Sequence, residues 1–303
     1  MSHKSADNPL GQQTIYPDSY APEQLFPVAR SLNRLQLNIA EHALPFHGFD
    51  LWHAWELSWL NAKGKPVVAV GEFIIPCQSP NLVESKSLKL YLNSLNQMRI
   101  ESFAAARELI TLDLANALGM TPVVRLSELS NRQCQVETGT PDISTFGIST
   151  FDNSTFGIST FGISTMDAEI LDSLEVETDV FLPDSSLLKS ADCGLVDEVL
   201  YSDLFKSNCP VTGQPDWGTV VISYSGSQID RQALLRYIIS YRNHQGFHEH
   251  CAEMMYRDIM QTCKPEALTL TIHFLRRGGL DINPIRSTSP VNMQAKFARL
   301  IRQ

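Results

Sequence analysis

The sequence predicts an α+β protein with antiparallel sheets, built from two related modules in one chain. The 303 residues are 43% hydrophobic and 19% charged, which is a globular balance. The order strand, two helices, strand is indicated once in each half of the chain. The first half also contains a β-hairpin pattern, which pairs its strands antiparallel.

The first block begins with this hairpin. Leu51 to Asn61 is aromatic-rich, Pro66 to Pro76 is β-branched, and a short AKGK turn joins them. Apolar residues at helical spacing over Ser85 to Ala117 predict two helices, with a break near Gln97 to Ile100. Thr121 to Leu126 predicts a further strand that closes the block.

The second block repeats the same order. Gly218 to Tyr224 predicts a strand, with Gly226 in the turn that follows it. Asp230 is the expected N-cap of the next helix. The remaining elements are two helices and a closing strand, predicted at Arg231 to Tyr241, Gly246 to Thr262 and Pro265 to Leu275.

These blocks suggest four regions: an N-terminal arm (1–45), a first module (46–130), a linker (131–185) and a C-terminal catalytic module (186–303). The linker repeats Ser-Thr-Phe/Met every five residues from 144 to 166. A period of five matches neither a strand nor a helix, so we interpret the repeat as a surface insertion, with a small solenoid as the alternative. We expect deletion of residues 143–166 to leave activity intact.

Charge and apolar patterning exclude several classes of protein. The formal net charge of −9 argues against a nucleic-acid binder with a broad basic face. No apolar run reaches the length of a membrane span, and no secretory signal is visible. The six cysteines show no C-x-x-C pair, which favours a cytoplasmic protein with reduced thiols and no zinc site.

The first candidate site is KSNCPVTGQPDW, residues 206–217. Its two prolines and one glycine place Cys209 on a loop, where reacting groups concentrate. A thiol nucleophile needs a proton partner, and Asp216 is a suitable general acid or base. Lys206 is near enough in sequence to favour the thiolate. The alternative is a structural turn with a buried cysteine and a capping aspartate.

The second candidate site is VESKSLKLY, residues 83–91. Ser85 is expected to cap a helix and place Glu84 at its entrance. The helix N-terminus and Lys86 favour phosphate oxygens, and Glu84 offers two acceptors to a planar pair of donors. The alternative is a capped amphipathic helix with a solvated charged face.

The third candidate site is RNHQGFHE, residues 242–249. His248 is a possible proton donor near neutral pH, Glu249 suits an amidine edge, and Phe247 suits stacking on a flat ring. A metal site is not expected, because His244 precedes Gly246 and lies outside the predicted helix. Exposed polar residues at a helix start are the alternative.

The fourth candidate site is RRGGLDINP, residues 276–284. Two arginines before two glycines leave guanidinium and backbone groups open to a phosphate. The pattern is not GxGxxG and has no Rossmann context, so a nicotinamide cofactor would be held in some other way. A strand ending at the surface is the alternative.

Together these four segments resemble the NADPH-dependent 7-cyano-7-deazaguanine reductases, the nitrile reductases of queuosine biosynthesis (QueF). The matching motifs are ESKSLKLY, SNC with QPDW, FHE and RRGGLDINP, in that order. The resemblance covers about Arg30 to Gln303 in the long, two-module form. The repeat in the linker departs from the family pattern.

The resemblance implies a tunnelling fold of two tandem β-αα-β modules, a homodimer and NADPH as cofactor. It implies no membrane or nucleic-acid partner, and a covalent thioimidate on Cys209 with Asp216 as proton donor. The residue roles that it implies are catalytic for Cys209, Asp216 and His248; substrate-binding for Val83, Glu84, Ser85, Phe247, His248 and Glu249; and NADPH-binding for Ser85, Lys86, Arg277 and Gly278.

Three other functions stay open at this stage. A cyclohydrolase-like enzyme of the same fold would act on a purine or pterin, and it would require zinc ligands. A thiol-dependent hydrolase would use Cys209 but ignore NADPH. A binding module would use the pentapeptide repeat as its interaction surface.

Overall fold

The computed structural model describes residues 16–129 and 168–293, and the chain divides into two units. Unit 1 comprises residues 1–44, 49–134 and 276–282, and unit 2 comprises residues 45–48, 135–275 and 283–303. Residues 276–282 therefore group with unit 1, whereas the sequence boundaries assign them to the C-terminal module. Those four boundaries stay a prediction, and the pentapeptide repeat lies outside the described residues.

Unit 1 contains the predicted hairpin and the two predicted helices. β2 (His47–Leu60) pairs antiparallel with β3 (Pro66–Pro76), and β3 pairs antiparallel with β5 (Val123–Glu128). α2 (Ser85–Ser94) and α3 (Phe103–Leu118) follow, and they pack apolar side chains into one core with the strands. Full burial of each large apolar side chain contributes about 1.5–3 kcal/mol.

Two strands and a helix precede or interrupt this block and were not predicted. β1 (Pro27–Ala29) pairs antiparallel with β4 (Asn81–Val83), and α1 (Arg30–Gln36) lies between β1 and β2 in the chain. Arg30 is buried and places its guanidinium 2.5 Å from the Asp50 carboxylate. The end of the predicted arm is thus ordered by a buried ion pair.

Unit 2 is a mostly antiparallel sheet with two helices. β7 (Ser190–Asn208), β8 (Pro215–Ile229) and β9 (Ala267–Phe274) pair antiparallel in that order, and β10 (Leu280–Ser287) pairs with β9 through residues 285–287. The short β6 (Ala168–Ile170) pairs with β7 in parallel. The α+β class with antiparallel sheets is therefore confirmed.

The second block of predicted elements is present with two differences. α4 (Arg231–Ser240) is capped by Asp230, whose side chain accepts from the Ala233 N–H at 2.9 Å, as predicted. α5 (His248–Thr262) begins two residues later than expected. Gly226 was wrongly placed in a turn: it lies inside β8 with φ +143°, where a β-carbon would meet Pro265 backbone at 3.0 Å.

The described helices include none with both the length and the apolar character of a membrane span.

Candidate active site

The turn between β7 and β8 carries Cys209. Strand β7 ends at Asn208 and β8 begins at Pro215, so the turn is tight. The Cys209 N–H donates to the Gln214 carbonyl at 2.8 Å, and the Gly213 N–H donates to the Cys209 carbonyl at 2.9 Å. The thiol is half-buried and lies on a loop, as the sequence predicts.

A buried carboxylate and an imidazole meet beside this turn. Asp216 is 4% exposed and pairs across the hairpin with Ser207, two residues before Cys209. His248 places Nε2 3.4 Å from Asp216 Oδ1. Its ring stacks on Phe274 with centroids 3.8 Å apart, which fixes the imidazole in this orientation. The pair can hold and move a proton next to the hairpin turn.

A second cysteine in the same neighbourhood has the opposite character. Cys251 is fully buried, and burial raises the pKa of its thiol to about 12. This pKa includes a smaller lowering by a hydrogen bond with Ser207 and smaller increases from the negative charges of Asp216 and Glu249. Because the thiolate is the nucleophilic form, Cys251 is inert near neutral pH, and Cys209 is the better nucleophile of the two.

The first turn of α5 holds the other predicted residues of this site. Phe247 is the N-cap residue and is half-buried, and its side chain makes no capping hydrogen bond. Glu249 follows in the first helical turn and is only 3% exposed. The structure thus brings Cys209, Asp216, Phe247, His248 and Glu249 to one hairpin and the adjoining helix start.

Burial disfavours the charged form of the other two histidines of this segment. Burial lowers the pKa of His244, and it lowers the pKa of His250 to about 4 with help from the nearby His244. Within residues 16–129 and 168–293, no three His, Cys, Asp or Glu side chains are grouped as a metal site would require.

At the start of α2 in unit 1, the cap differs from the prediction. Glu84, not Ser85, is the N-cap: its carboxylate accepts from the N–H groups of Lys86 at 3.0 Å and Ser87 at 2.8 Å. Ser85 instead donates its hydroxyl to Glu84 Oε1 at 3.3 Å. The helix begins at Ser85, one residue earlier than that prediction requires, so the extended residue before it, Glu84, occupies the cap position. Val83 is buried in β4 directly before the cap.

A second turn in unit 1 carries Arg277 and Gly278. Arg277 and Leu280 exchange backbone hydrogen bonds of 2.8 and 3.1 Å. Gly278 and Gly279 between them have φ of +56° and +78°, which is a type I′ turn. A β-carbon on Gly278 would lie 2.9 Å from Lys89 Nζ, so the backbone here borders an ammonium group.

Lys89 is a cleft residue that the sequence analysis did not single out. It lines a cleft of about 260 Å³ in unit 1, together with Glu56, Asn93, Gly278 and Gly279. Its position three residues after Lys86 on α2 was the available signal, because residues three apart share a helix face. Helix α2 therefore links the Glu84–Lys86 segment to the turn with Gly278.

Comparison with known proteins identifies the family. The family model described as "Nitrile reductase, 7-cyano-7-deazaguanine-reductase N-term" matches residues 16–126, and the one described as "QueF-like protein" matches residues 215–292. A crystal structure of the archaeosine synthase QueF-Like in the apo form matches 34% of this chain and 100% of its own, at 18% identity and a TM-score of 0.29.

Curated relatives cover nearly the whole chain. A protein of Dechloromonas aromatica (strain RCB) is 49% identical over 95% of this chain and 93% of its own. One of Coxiella burnetii (strain Dugway 5J108-111) is 46% identical over 93% of this chain and 91% of its own. Both are named NADPH-dependent 7-cyano-7-deazaguanine reductase. The chain described here therefore belongs to the family of NADPH-dependent 7-cyano-7-deazaguanine reductases.

Proposed function

We propose that this protein reduces the nitrile of 7-cyano-7-deazaguanine to the aminomethyl group with NADPH, as a step of queuosine biosynthesis. The observation that carries this proposal is the half-buried thiol of Cys209 on a hairpin turn, beside the buried Asp216 and His248 pair. A nitrile carbon is a poor hydride acceptor, so a nucleophile that converts it to an imine-like carbon is needed.

The first chemical step is addition of the Cys209 thiolate to the nitrile carbon. The C–S bond forms, one C≡N π bond opens, and the nitrogen takes a proton. In our proposal Asp216 delivers this proton, and His248 at 3.4 Å holds the carboxyl in place and exchanges protons with it. The product is a covalent thioimidate on Cys209.

The residues that we assign to NADPH are Ser85, Lys86, Arg277 and Gly278, and we add Lys89. Lys86, Lys89 and Arg277 supply cationic groups for a phosphate-bearing ligand, and Lys89 packs against Gly278 while its ammonium lies 3.6 Å from the Glu56 carboxylate. When bound, NADPH supplies the hydrides, and two are needed to convert a nitrile to a primary amine. We expect replacement of NADPH by NADH to lower catalytic efficiency, because NADH lacks the 2′-phosphate.

The two buried carboxylates are suited to a guanine-like ring. Glu84 and Glu249, each 3% exposed, can accept from the ring amide N–H and the exocyclic amino group. We assign Val83, Ser85, Phe247 and His248 to the same ligand, with the Phe247 ring as a stacking surface. A site built on these acceptors disfavours analogues that lack the donors, because such analogues form fewer hydrogen bonds with the carboxylates.

For location and assembly we propose a homodimer in the cytoplasm. Four cysteines of the described part of the chain (Cys77, Cys209, Cys251 and Cys263) are free thiols, which suits a reducing compartment. Gel filtration with light scattering gives the mass of the assembly. A monomer at micromolar concentration would contradict the dimer.

The decisive experiment incubates pure protein with NADPH and 7-cyano-7-deazaguanine. We expect loss of the nicotinamide absorbance, with two NADPH consumed per aminomethyl product detected by mass spectrometry. A thiol-dependent hydrolase would instead give the amide or acid without NADPH. A cyclohydrolase-like enzyme would leave the nitrile unchanged. Either of those results would refute the proposed function.

A further inference from the structure

The segment before α5 is fastened to the residue that precedes Cys209. The Asn208 N–H donates to the His244 carbonyl at 2.8 Å, and the Gly246 N–H donates to the Asn208 carbonyl at 3.2 Å. Asn208 thereby forms a parallel bridge with Gln245. These backbone bonds join the end of strand β7 to the chain that leads into His248 and Glu249.

Two side chains reinforce the same connection. Lys206 donates from Nζ to Asn208 Oδ1 at 2.8 Å and to the Arg242 carbonyl at 2.6 Å. Asn208 Nδ2 lies 3.4 Å from the Arg242 carbonyl and 3.3 Å from the His244 carbonyl. We call this set of contacts the Lys206–Asn208 clasp. Hydrogen bonds from a charged donor are stronger than neutral ones, so Lys206 is its central member.

The other strand of the hairpin is tied to the same segment. The Arg242 guanidinium lies over the Trp217 ring, with Cζ 5.7 Å from the ring centroid. Trp217 directly follows Asp216 on strand β8. The residues on both sides of the Cys209 turn are therefore held to residues 242–246, one step before the first turn of α5.

We propose that Lys206 and Asn208 are positioning residues that set the Cys209 sulfur against the groups at the start of α5. This inference rests on the proposed function, in which His248 and Glu249 hold the substrate whose nitrile the sulfur attacks. Covalent addition requires the two reacting atoms to be held near contact distance, and a misplacement of 1 Å costs up to about 100-fold in rate. None of the residues that we assign to substrate binding lies on the Cys209 turn, so binding itself tolerates a looser hairpin.

The test separates the covalent step from binding. Lys206→Met keeps the length of the side chain and removes its donors. We expect the rate of thioimidate formation, followed by intact mass after mixing with 7-cyano-7-deazaguanine, to fall about 10- to 100-fold. The dissociation constant of the non-reactive analogue 7-deazaguanine is expected to stay within about 3-fold of wild type. Asn208→Ala is expected to act in the same direction, and Lys206→Arg, which keeps a charged donor, to recover part of the rate.

A different role for Lys206, direct stabilisation of the Cys209 thiolate, predicts another result. In that case Lys206→Met would shift the pH profile of Cys209 alkylation by iodoacetamide to higher pH. The clasp predicts that this profile stays at its wild-type position while thioimidate formation slows. A shift of the profile that accounts for the lost rate would overturn the positioning role.

Matched controls keep the inference separate from the proposed function. Lys63→Met removes an exposed lysine from the unit 1 hairpin turn and is expected to react like wild type. If wild-type protein forms no adduct, the proposed function fails. If wild type reacts and both Lys206→Met and Asn208→Ala react equally fast, only the clasp fails. A thermal unfolding transition shows whether each variant is folded. If Lys206→Met does not fold, Asn208→Ala is used as the test variant.

Discussion

The helix starts of the two units carry the same kind of side chain in different ways. Glu84 precedes α2, and both of its carboxylate oxygens accept N–H groups of the first helical turn. Glu249 lies inside the first turn of α5, whose N-cap residue Phe247 contributes no side-chain hydrogen bond. Each carboxylate is 3% exposed. A buried acid thus lies at the first helix of one block and at the second helix of the other, with a different structural role in each.

The hairpins of the two units are fastened by similar backbone bonds. In unit 1, Leu60 at the end of β2 donates to the Met98 carbonyl at 2.9 Å and accepts from the Ile100 N–H at 2.8 Å, just before α3. In unit 2, Asn208 at the end of β7 is bonded in the same way to residues 244–246, just before α5. The units differ in that the Lys206 and Asn208 side chains add to these backbone bonds beside Cys209. The four predictions below test which unit carries the covalent chemistry and which buried groups bind substrate or stabilise the fold.

The largest effect is expected from Cys209→Ala. If unit 2 carries the covalent chemistry, this variant forms no adduct and loses at least about 1000-fold in reduction rate, because no other group can add to the nitrile. Intact mass spectrometry and nicotinamide absorbance measure both. Cys263→Ala is the control, since burial raises the pKa of that thiol to about 11 and keeps it protonated. A substrate-dependent mass shift on Cys209→Ala would rule out the assignment.

The next largest effect is expected from Asp216→Asn. The amide retains the shape of the side chain but has no acidic proton, so adduct formation and reduction are expected to slow by about 100-fold or more. Stopped-flow measurement of adduct formation, with circular dichroism to verify folding, tests this. An unchanged rate would leave His248 or water as the proton source.

The comparison of the two glutamates is tested by Glu84→Gln and Glu249→Gln. Loss of the carboxylate cap is expected to lower the free energy of unfolding by about 1 kcal/mol for Glu84→Gln. Glu249→Gln is expected to raise the KM for 7-cyano-7-deazaguanine at least about 10-fold, with a smaller loss of stability. Urea unfolding and steady-state kinetics measure the two quantities. Equal stability losses in both variants would show that Glu84 contributes no more to its helix cap than Glu249 does.

The remaining prediction concerns pH and stability in unit 2, with no direct effect on catalysis. The pKa of His250 lies at about 4 in the folded chain, below its ordinary value of 6.5, because burial disfavours the imidazolium. The unfolded chain therefore binds more protons between these values, so stability is full above pH 6.5 and is lost as the pH falls toward 4. The difference corresponds to about 3 kcal/mol at most.

His250→Gln is expected to reduce the pH dependence of stability, measured as the difference in the free energy of unfolding between pH 7.5 and pH 5. His244, whose pKa burial also lowers, retains part of the slope. A variant with the wild-type difference between the two pH values would show that His250 titrates normally.

The elements found from the sequence are those with regular periodicity, and the missed ones break it. Strand β7 has register shifts between Ser190 and Leu195 and between Ser202 and Phe205, which interrupt the alternation of apolar residues. Strand β10 contains Pro284 and buries Asp281 and Asn283, so its composition does not resemble a strand. Propensity and alternation cannot detect a strand whose buried positions are polar.

Helix α1 was missed because polar residues occupy its buried positions and apolar residues its exposed ones. Arg30 and Arg34 are buried, whereas Leu32 and Leu35 are 65% and 76% exposed. The arginines are accommodated by specific partners: the Asp50 carboxylate for Arg30 and the Cys77 carbonyl, at 2.7 Å, for Arg34. Those partners are brought close to the arginines only by the tertiary fold, so no local sequence pattern predicts the contacts.

For the site, the sequence supplied the residues but not their contacts. Motifs place Cys209, Asp216 and His248 in the candidate site, yet the 3.4 Å contact between Asp216 and His248 requires strand β8 to lie beside the start of α5. The exchange of Ser85 for Glu84 as the cap depends on backbone dihedrals that a residue string does not contain. Lys89 was overlooked because its relation to Gly278 is a contact between segments far apart in the chain.

The paired glycines of the Arg277–Leu280 turn have a practical consequence for engineering cofactor preference. Both occupy dihedral angles that side-chain-bearing residues rarely adopt, so randomising positions 278 and 279 would mostly yield misfolded clones. Lys86 and Lys89 lie on a regular helix, where many other residues can replace them without backbone strain. A library aimed at NADH usage is therefore best directed at the two lysines, with the glycines kept constant.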